Sequence, residues 1–497
     1  MSRALLAVPL AAALLAWVSG VFGRAFDYDE VMQAHAIWQI AEGLVPFRDF
    51  FECHPPFLWY PFAPALALLP EGPELLFGLR ILSALGFAAW MAALLGAARA
   101  ARPALHAKWW VAAGAIAACS PPVLDLAVQF RPDVWVWAAA FAALARAIGT
   151  RAGFRRAAEL GVAGGLCALA LPKLAPLFPA FVLTDLARRG REERIREIAG
   201  YAAGIAVGVA LALGFVFAAG IDPREAWELS VPYHGYVAAH AGFAHNLWYE
   251  LLATPGPLAV ALAGVVAWAA WLRAQRVAPT PLELAVLATA AIQLALVPFP
   301  YVQYAAPVFV LAAIFVPYLG AWAERIAVHW RPAPHAALAG AAAIGVALVA
   351  LPLAAGWQSR DAARFADVQR VILELAPPEA RIAVPPPFHP IARRDAFYGL
   401  IQTWLPSGVT TEQTLRALAL PHADQVGEPA YRRELEASRP AVVLFTGRRE
   451  FFYSPEQAAA IDDYLTAHAD EYRRVVGLEP ALWVRADLVA AAPPNAE

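Results

Sequence analysis

Asp27, Asp29, Glu30, Glu42, Asp49 and Glu52 all fall within residues 27–54. Carboxylates at this density act as proton acceptors, metal ligands or helix caps. The bases Arg48, His54, Arg131 and Lys173 are placed by the topology below on the same side of a membrane. Acids and bases gathered at one membrane face point to chemistry on a polar group whose tail lies in lipid. Asp27-x-Asp29 has the spacing of the metal-binding pair of soluble nucleotide-sugar transferases. That pair follows a strand of a nucleotide-binding domain, whereas this one follows an apolar run. No G-x-x-x-x-G-K-[ST] loop or dinucleotide fingerprint occurs. Cys53, Cys119 and Cys167 are far apart, without metal-ligand spacing or a disulfide framework.

The elements that must position these residues follow from composition. Of 497 residues, 60% are hydrophobic and only 16% charged, with mean hydropathy +0.53. Soluble domains are nearer half apolar and a quarter charged. The excess excludes an ordinary soluble enzyme and a disordered chain, and leaves a polytopic α-helical membrane protein. Regular strand alternation is absent, which excludes a membrane β-barrel. A net charge of -2 gives no reason to expect nucleic acid. Apolar runs predict spans at 4–23, 75–98, 109–125, 134–146, 158–172, 174–187, 199–220, 251–272, 282–298, 301–320 and 336–356. The first is read as a retained helix, because residues 22–26 make a poor cleavage site for a signal peptide. Acids and bases are read as avoiding the span interiors.

Basic residues mark cytoplasmic loops. Arg99/Arg102/Lys108, Arg146/Arg151/Arg155/Arg156, Arg188/Arg189/Arg191/Arg194/Arg196, Arg273/Arg276 and Arg325/Arg331 share one side only if 158–187 crosses twice, with Lys173 at the hairpin tip. Eleven spans result, with the N-terminus inside. The outer face then carries 24–74, 126–133, 172–173, 221–250, 298–301 and the tail. Segment 56–70 is apolar, short and rich in proline, and reads as a helix lying in the interface. The tail, 357–497, holds nearly half of all acids, with strand-like runs at Arg381–Val384 and Ala441–Phe445 between helical stretches 359–375 and 455–468. It reads as a small extracytoplasmic α/β domain beside a membrane domain of residues 1–356.

The first outer loop runs Asp27-Tyr28-Asp29-Glu30, a helix to about Glu42, Gly43, then Pro46-Phe47-Arg48-Asp49-Phe50-Phe51-Glu52-Cys53-His54-Pro55-Pro56. This pattern resembles the GT-C superfamily of integral membrane glycosyltransferases, and within it the bacterial aminoarabinose transferases and protein mannosyltransferase-like enzymes. The resemblance implies a hexosyl- or pentosyltransferase of the bacterial cytoplasmic membrane that uses a polyprenyl-phosphate-linked sugar. The acceptor would be a lipid, a polysaccharide or a protein at the outer face. It places the catalytic acids at Asp29 and Glu30, with Asp29 as general base, and a second acid at Asp133. Phosphate leaves without a general acid, so cations must hold it, and His54, Arg131 and Lys173 are the candidates. His54 stands where many relatives carry Lys, and His is mostly neutral at pH 7. Relatives differ in whether they need a divalent metal, so no cofactor is assigned.

Each residue also has a structural task open to it. Asp27 and Glu30 have capping-box spacing. Asp29, in a first turn, suits the helix dipole. Arg131-Pro132-Asp133 has the form of an interfacial ion pair, and Lys173 could snorkel as a lone cation. Tyr301, Gln303 and Tyr304 read as structural. In 221–250 the aromatics Trp227, Tyr233, Tyr236 and Trp248 could stack on sugar or acceptor, and His234, His240 and His245 could bind metal, but their spacing matches no standard metal motif and they read as interfacial anchors. A flippase of lipid-linked sugars or a scaffold for polysaccharide assembly would share the outer polar face. The scarcity of ionisable groups inside the spans disfavours transport.

Overall fold

The computed structural model describes residues 3–66, 68–240, 247–297, 302–327, 361–398, 410–445, 455–476, 478 and 481–489. The chain divides into two compact units. One comprises 1–24, 80–214 and 243–359; the other comprises 25–79, 215–242 and 360–497.

The first unit is helical among its described residues. Helix α1 spans Arg3–Gly23. Every expected span within the described residues is built of helix, and the eleventh, 336–356, lies outside them. Four described helices are long and apolar enough to cross a membrane: Pro73–Ala101, Arg191–Ala218, Pro255–Gln275 and Tyr304–Ile326. Ala107–Ala118 and Pro121–Ala127 make a fifth if counted together, bent by 77° where proline interrupts the hydrogen-bond ladder. The stretch 158–187 is two helices, Phe154–Ala170 and Leu177–Leu186, broken by a 3₁₀ turn at Pro172–Leu174. The core is aromatic and aliphatic, with Trp90 stacked on Trp137 at 4.8 Å and Phe87, Leu94 and Phe141 around them.

Lipid offers no hydrophobic drive between helices, so close approach must come from small residues. Helices 154–170 and 191–218 use glycine for this. A Cβ on Gly204 would stand 2.1 Å from the Ala158 carbonyl oxygen, and one on Gly161 would stand 2.2 Å from that of Tyr201. Arg156 ties helix 154–170 at one end both to helix 191–218, through Glu197, and to helix 177–186, through Asp185, each at 2.8 Å. One expectation needs correction. Arg80 lies inside the predicted span 75–98 and is fully buried. Its guanidinium donates to the Val21 and Arg24 carbonyls at 2.9 and 2.8 Å, satisfying the open end of α1.

The second unit holds the first loop and the tail's sheet. Helix α2 spans Tyr28–Ala41. Segment 56–70 is a 3₁₀ turn at Pro56–Leu58 and a short helix at Ala63–Leu66, not one interfacial helix. Pro56, Pro61, Pro64 and Pro70 deny it a continuous ladder. The tail forms strands β1 (Arg381–Ala383), β2 (Arg394–Asp395), β3 (Val442–Phe445), β4 (Tyr472–Arg474) and β5 (Ala481–Arg485). They are ordered β2-β1-β3-β5-β4, with β1 parallel to β2 and β3, and β5 antiparallel to β3 and β4. Side chains alternate as strand pleat requires. Ile382, Val442 and Leu444 face Val368 and Ile372 of helix Asp361–Leu375, while Ala383 and Val443 face Tyr431, Leu435 and Ile461 from helices Glu428–Ser438 and Pro455–Ala467. The two expected strands are the parallel centre of this sheet.

Candidate active site

In the second unit the capping box at the start of α2 is complete. Asp27 accepts from the Asp29 N–H at 3.0 Å, and Glu30 Oε1 accepts from the Asp27 N–H at 2.7 Å. Glu30 is fully buried in this task, while Asp29 stays half-buried in the first turn. The site's two expected acids therefore differ: one is buried holding the helix start and the other is half-buried beside it. Gly43, at φ +83, turns the chain out of α2.

The loop that follows is folded on itself. Phe47 sits at φ +71 although it carries a Cβ, and is fully buried. Its N–H donates to the Phe50 carbonyl at 2.9 Å. The Tyr398 hydroxyl donates to the Phe47 carbonyl, and the Phe51 N–H to the Tyr398 carbonyl at 3.0 Å. Asp49 takes the Val45 N–H and pairs with Arg48 at 2.8 Å, so Arg48 is committed at the surface.

These contacts deliver Glu52, Cys53 and His54. Glu52 is buried, and its Oε1 accepts from the Cys53 N–H at 2.9 Å and contacts His54 Nδ1 at 2.8 Å. Its Oε2 makes no hydrogen bond among the described residues. Burial opposes charge on His54, but Cys53 and Glu52 outweigh it and hold the ring well above the usual histidine range. The expectation of a mostly neutral His54 is therefore corrected, because the adjacent acidic groups favour its cation. His54 lies 5.4 Å, ring to ring, from His234. Cys53, His54 and His234 each offer one ligand atom, all within 4.8 Å of one another. His234 Nδ1 donates to the Ser230 carbonyl at 3.0 Å, which leaves Nε2 with its lone pair. Burial and the His54 charge hold His234 down at about 3, in the neutral form a metal requires. Two imidazoles and a thiol stand close enough to share one zinc ion, which would require His54 to give up its proton.

Tyr233 is thus an interior group and His234 is half-buried against His54, not an exposed anchor. Tyr233 is buried, with its hydroxyl 3.1 Å from Thr411 and its ring against Phe51. Trp227 and Trp248 are exposed as anchors would be. Tyr301, His245 and the side chain of Gln303 lie outside the described residues.

The remaining candidates fall in the first unit. Lys173 is not a lone cation: Nζ lies 2.6 Å from Asp133 and over the Tyr304 ring at 5.7 Å. Gln293 donates to the Lys173 carbonyl at 3.3 Å. Arg131 is buried, donates to Gln129 Oε1 at 2.9 and 3.1 Å, and exchanges hydrogen bonds with Ser83 through its backbone. Gln129 in turn donates to Asp125 at 2.8 Å, and Asp125 pairs with Arg24 at 2.6 Å. The sequence reading missed Ser83, Asp125 and Gln129. No local spacing marks them, since their partners lie up to 101 positions away.

A helix-start acid and a folded Pro-Phe-Arg-Asp-Phe-Phe-Glu loop thus occur in a chain that also holds long apolar helices and a small sheet. The chain has the ArnT fold. It is similar to the crystal structure of ArnT from Cupriavidus metallidurans bound to undecaprenyl phosphate, at TM-score 0.61 and 15% identity over 99% of this chain and 100% of that one. The apo form of that ArnT matches at TM-score 0.56 and 15% identity, over 98% of each chain. No family model matches the sequence, and no curated protein does. The likeness is one of fold: helices long and apolar enough to cross a membrane, with a small sheet in the C-terminal part of the chain.

Proposed function

We propose that the protein transfers a sugar from a polyprenyl-phosphate carrier to an acceptor at the outer face of the bacterial cytoplasmic membrane. The observation that carries this reading is full-length likeness to an ArnT that binds undecaprenyl phosphate. The acid pair opening α2, quoted above from the sequence, supports it further. Asp29 serves as general base: its carboxylate takes the proton as the acceptor hydroxyl attacks the anomeric carbon. Glu30 fixes the helix start that presents Asp29. Lys173, Arg131 and His54 are the cations suited to the departing phosphate. Asp133 is the second acid, and it pairs with Lys173. In the alternative state in which His54 is neutral and leaves the phosphate role, Cys53, His54 and His234 would hold a structural ion that stiffens the first loop. The N-terminus is inside and the tail domain outside, and the domain boundary is at 356/357.

The test is transfer by the purified full-length protein from a panel of polyprenyl-phosphate sugars to lipid, polysaccharide and protein acceptors. Carrier-dependent transfer that Asp29→Asn abolishes supports the reading. Carrier binding or movement without transfer, for every sugar tried, returns the protein to a flippase or scaffold role. A reporter fused after Trp357 should read outside and one within Arg188–Arg196 inside; the reverse pattern removes the tail from the active face.

A further inference from the structure

Helix α2 is also held part-way along by a cluster that no role above uses. His35 is fully buried, and its Nδ1 lies 2.9 Å from the Ile391 carbonyl. A carbonyl only accepts, so Nδ1 carries the proton. Its Nε2 lies 2.6 Å from Gln39 Nε2, which only donates, so Nε2 is bare and the ring neutral. The His389 ring, also fully buried, stands 4.5 Å away. Neither of its nitrogens makes a hydrogen bond among the described residues. Asp395 Oδ2 is 3.6 Å from His389 Nε2, too far for a formed bond but within one side-chain adjustment.

The cluster is short of donors. Gln39 Oε1, Gln369 Oε1, Asp395 Oδ2 and one His389 nitrogen all need one. A neutral His389 supplies a single N–H. Ionising Asp395 would add a buried charge beside two neutral rings, whereas one proton on Oδ2 supplies the donor that His389 Nε2 lacks.

We propose that Asp395, His389 and His35 form a buried positioning relay for α2, in which the Asp395 carboxyl keeps its proton at neutral pH and gives it as a hydrogen bond to His389. The electrostatics agree. Burial pushes Asp395 well above the carboxylate range; the Phe397 N–H and Arg381 on β1 act against this, and Glu434 on helix 428–438 adds to it. Burial and His35 hold His389 well below the histidine range, with the Pro390 carbonyl acting against them. Burial holds His35 at about 4. Helix Asp361–Leu375 faces the cluster with Gln369, which is uncharged and donates to the Pro387 carbonyl. Alkali therefore strips the proton from Asp395 and loosens the 389–395 segment from α2. The link to transfer rests on the reading of Asp29, borne on the same helix, as the base.

The experiment uses the full-length protein in detergent. Infrared difference spectra should show a protonated-carboxyl band at pH 7 that disappears in Asp395→Asn. Amide protection factors across 31–41, with the base-catalysed rise of intrinsic exchange divided out, should fall at alkaline pH in wild type and hold steady in Asp395→Asn, whose amide donates permanently. Sugar transfer should fall on the alkaline limb in wild type, with that limb removed in Asp395→Asn. Asp395→Ala should lose on the order of 10²-fold in kcat with donor KM unchanged, the size expected when a reacting group is displaced slightly. An infrared spectrum without that band, or an Asn variant as impaired as the Ala variant, overturns the relay. If the infrared and exchange results hold while wild type transfers no sugar, the relay stands and the transferase reading falls.

Discussion

Asp27, Asp29 and Glu30 lie within one helical turn, yet the structure predicts three different responses to substitution. Asp29→Asn removes a proton acceptor and leaves the capping box untouched, because both box hydrogen bonds belong to Asp27 and Glu30. Its stability cost is the loss of one negative charge in a first turn, about 0.3–1 kcal/mol. Its rate cost is that of a general base, about 10²–10⁴-fold. That equals roughly 3–5 kcal/mol of barrier. Asp27→Ala loses the cap, about 1 kcal/mol, with a small rate effect. Glu30→Ala removes a fully buried side chain and leaves the half-buried Asp27 N–H without its acceptor, at a cost of about 1–3 kcal/mol of stability before any effect on rate. The assay pairs initial transfer rates under saturating donor with thermal unfolding of the same preparations. Asp29→Asn should lie far down the rate axis and near wild type in stability, with Glu30→Ala displaced the other way. The reasoning is refuted if Asp29→Asn transfers at the wild-type rate, or if its loss of rate tracks a loss of folded protein.

Full-length protein purified without chelator should carry close to one zinc ion per chain, and Cys53→Ser or His234→Ala should lower that content; metal-free wild type would dismiss the Cys53/His54/His234 centre. Asp133→Asn leaves a mostly buried ammonium without its acid and should cost up to about 3–5 kcal/mol, while Asp133→Asn/Lys173→Met should recover much of it in thermal unfolding and show weakened donor use; unchanged donor affinity returns Lys173 to a structural role. Burial raises Glu434 to about 7. Its folded form then binds a proton more tightly than the unfolded chain does, so its stabilising share is full below about pH 4.5 and is lost as pH rises through about 7. Unfolding measured across that window should show the decline flattened in Glu434→Gln, and an equal slope in both proteins removes the assignment. Gly204→Leu should prevent helices 154–170 and 191–218 from closing and abolish folded yield, whereas Gly214→Leu, with open space around it, should express as wild type; equal yields would rule out glycine packing as the cause.

The sequence by itself determined the features that depend on local pattern. The excess of apolar residues identified a helical membrane protein, and the helices stand where the apolar runs are. The Asp27–Glu30 spacing specified a capping box, and the box is formed. Pro172 within an apolar run marked a broken segment, because a missing N–H interrupts a helix wherever the chain lies. Val442–Phe445 and Arg381–Ala383 were legible as strands because a buried central strand is a short β-branched run. The strands at 394–395 and 472–474 were not legible, because they are short edge strands that depend on their neighbours for pairing; nor was 481–485, an interior strand whose Ala-Leu-Trp-Val-Arg sequence is no β-branched run. Only tertiary structure decided which polar groups meet. His54 and His234 are separated by 180 positions and share no spacing rule, yet their rings stand 5.4 Å apart. Lys173 and Asp133 both appeared in the sequence reading, but their pairing depends on how helices 133–148 and 154–170 pack. His35, His389 and Asp395 gave no signal at all, since a histidine inside an amphipathic helix has the same local pattern whether its partner is water or a carboxyl hundreds of residues away. Local chemistry sets what each segment can become. The protonation and partner of a buried group are set by what the fold places beside it, through desolvation and hydrogen bonds that chain order does not encode.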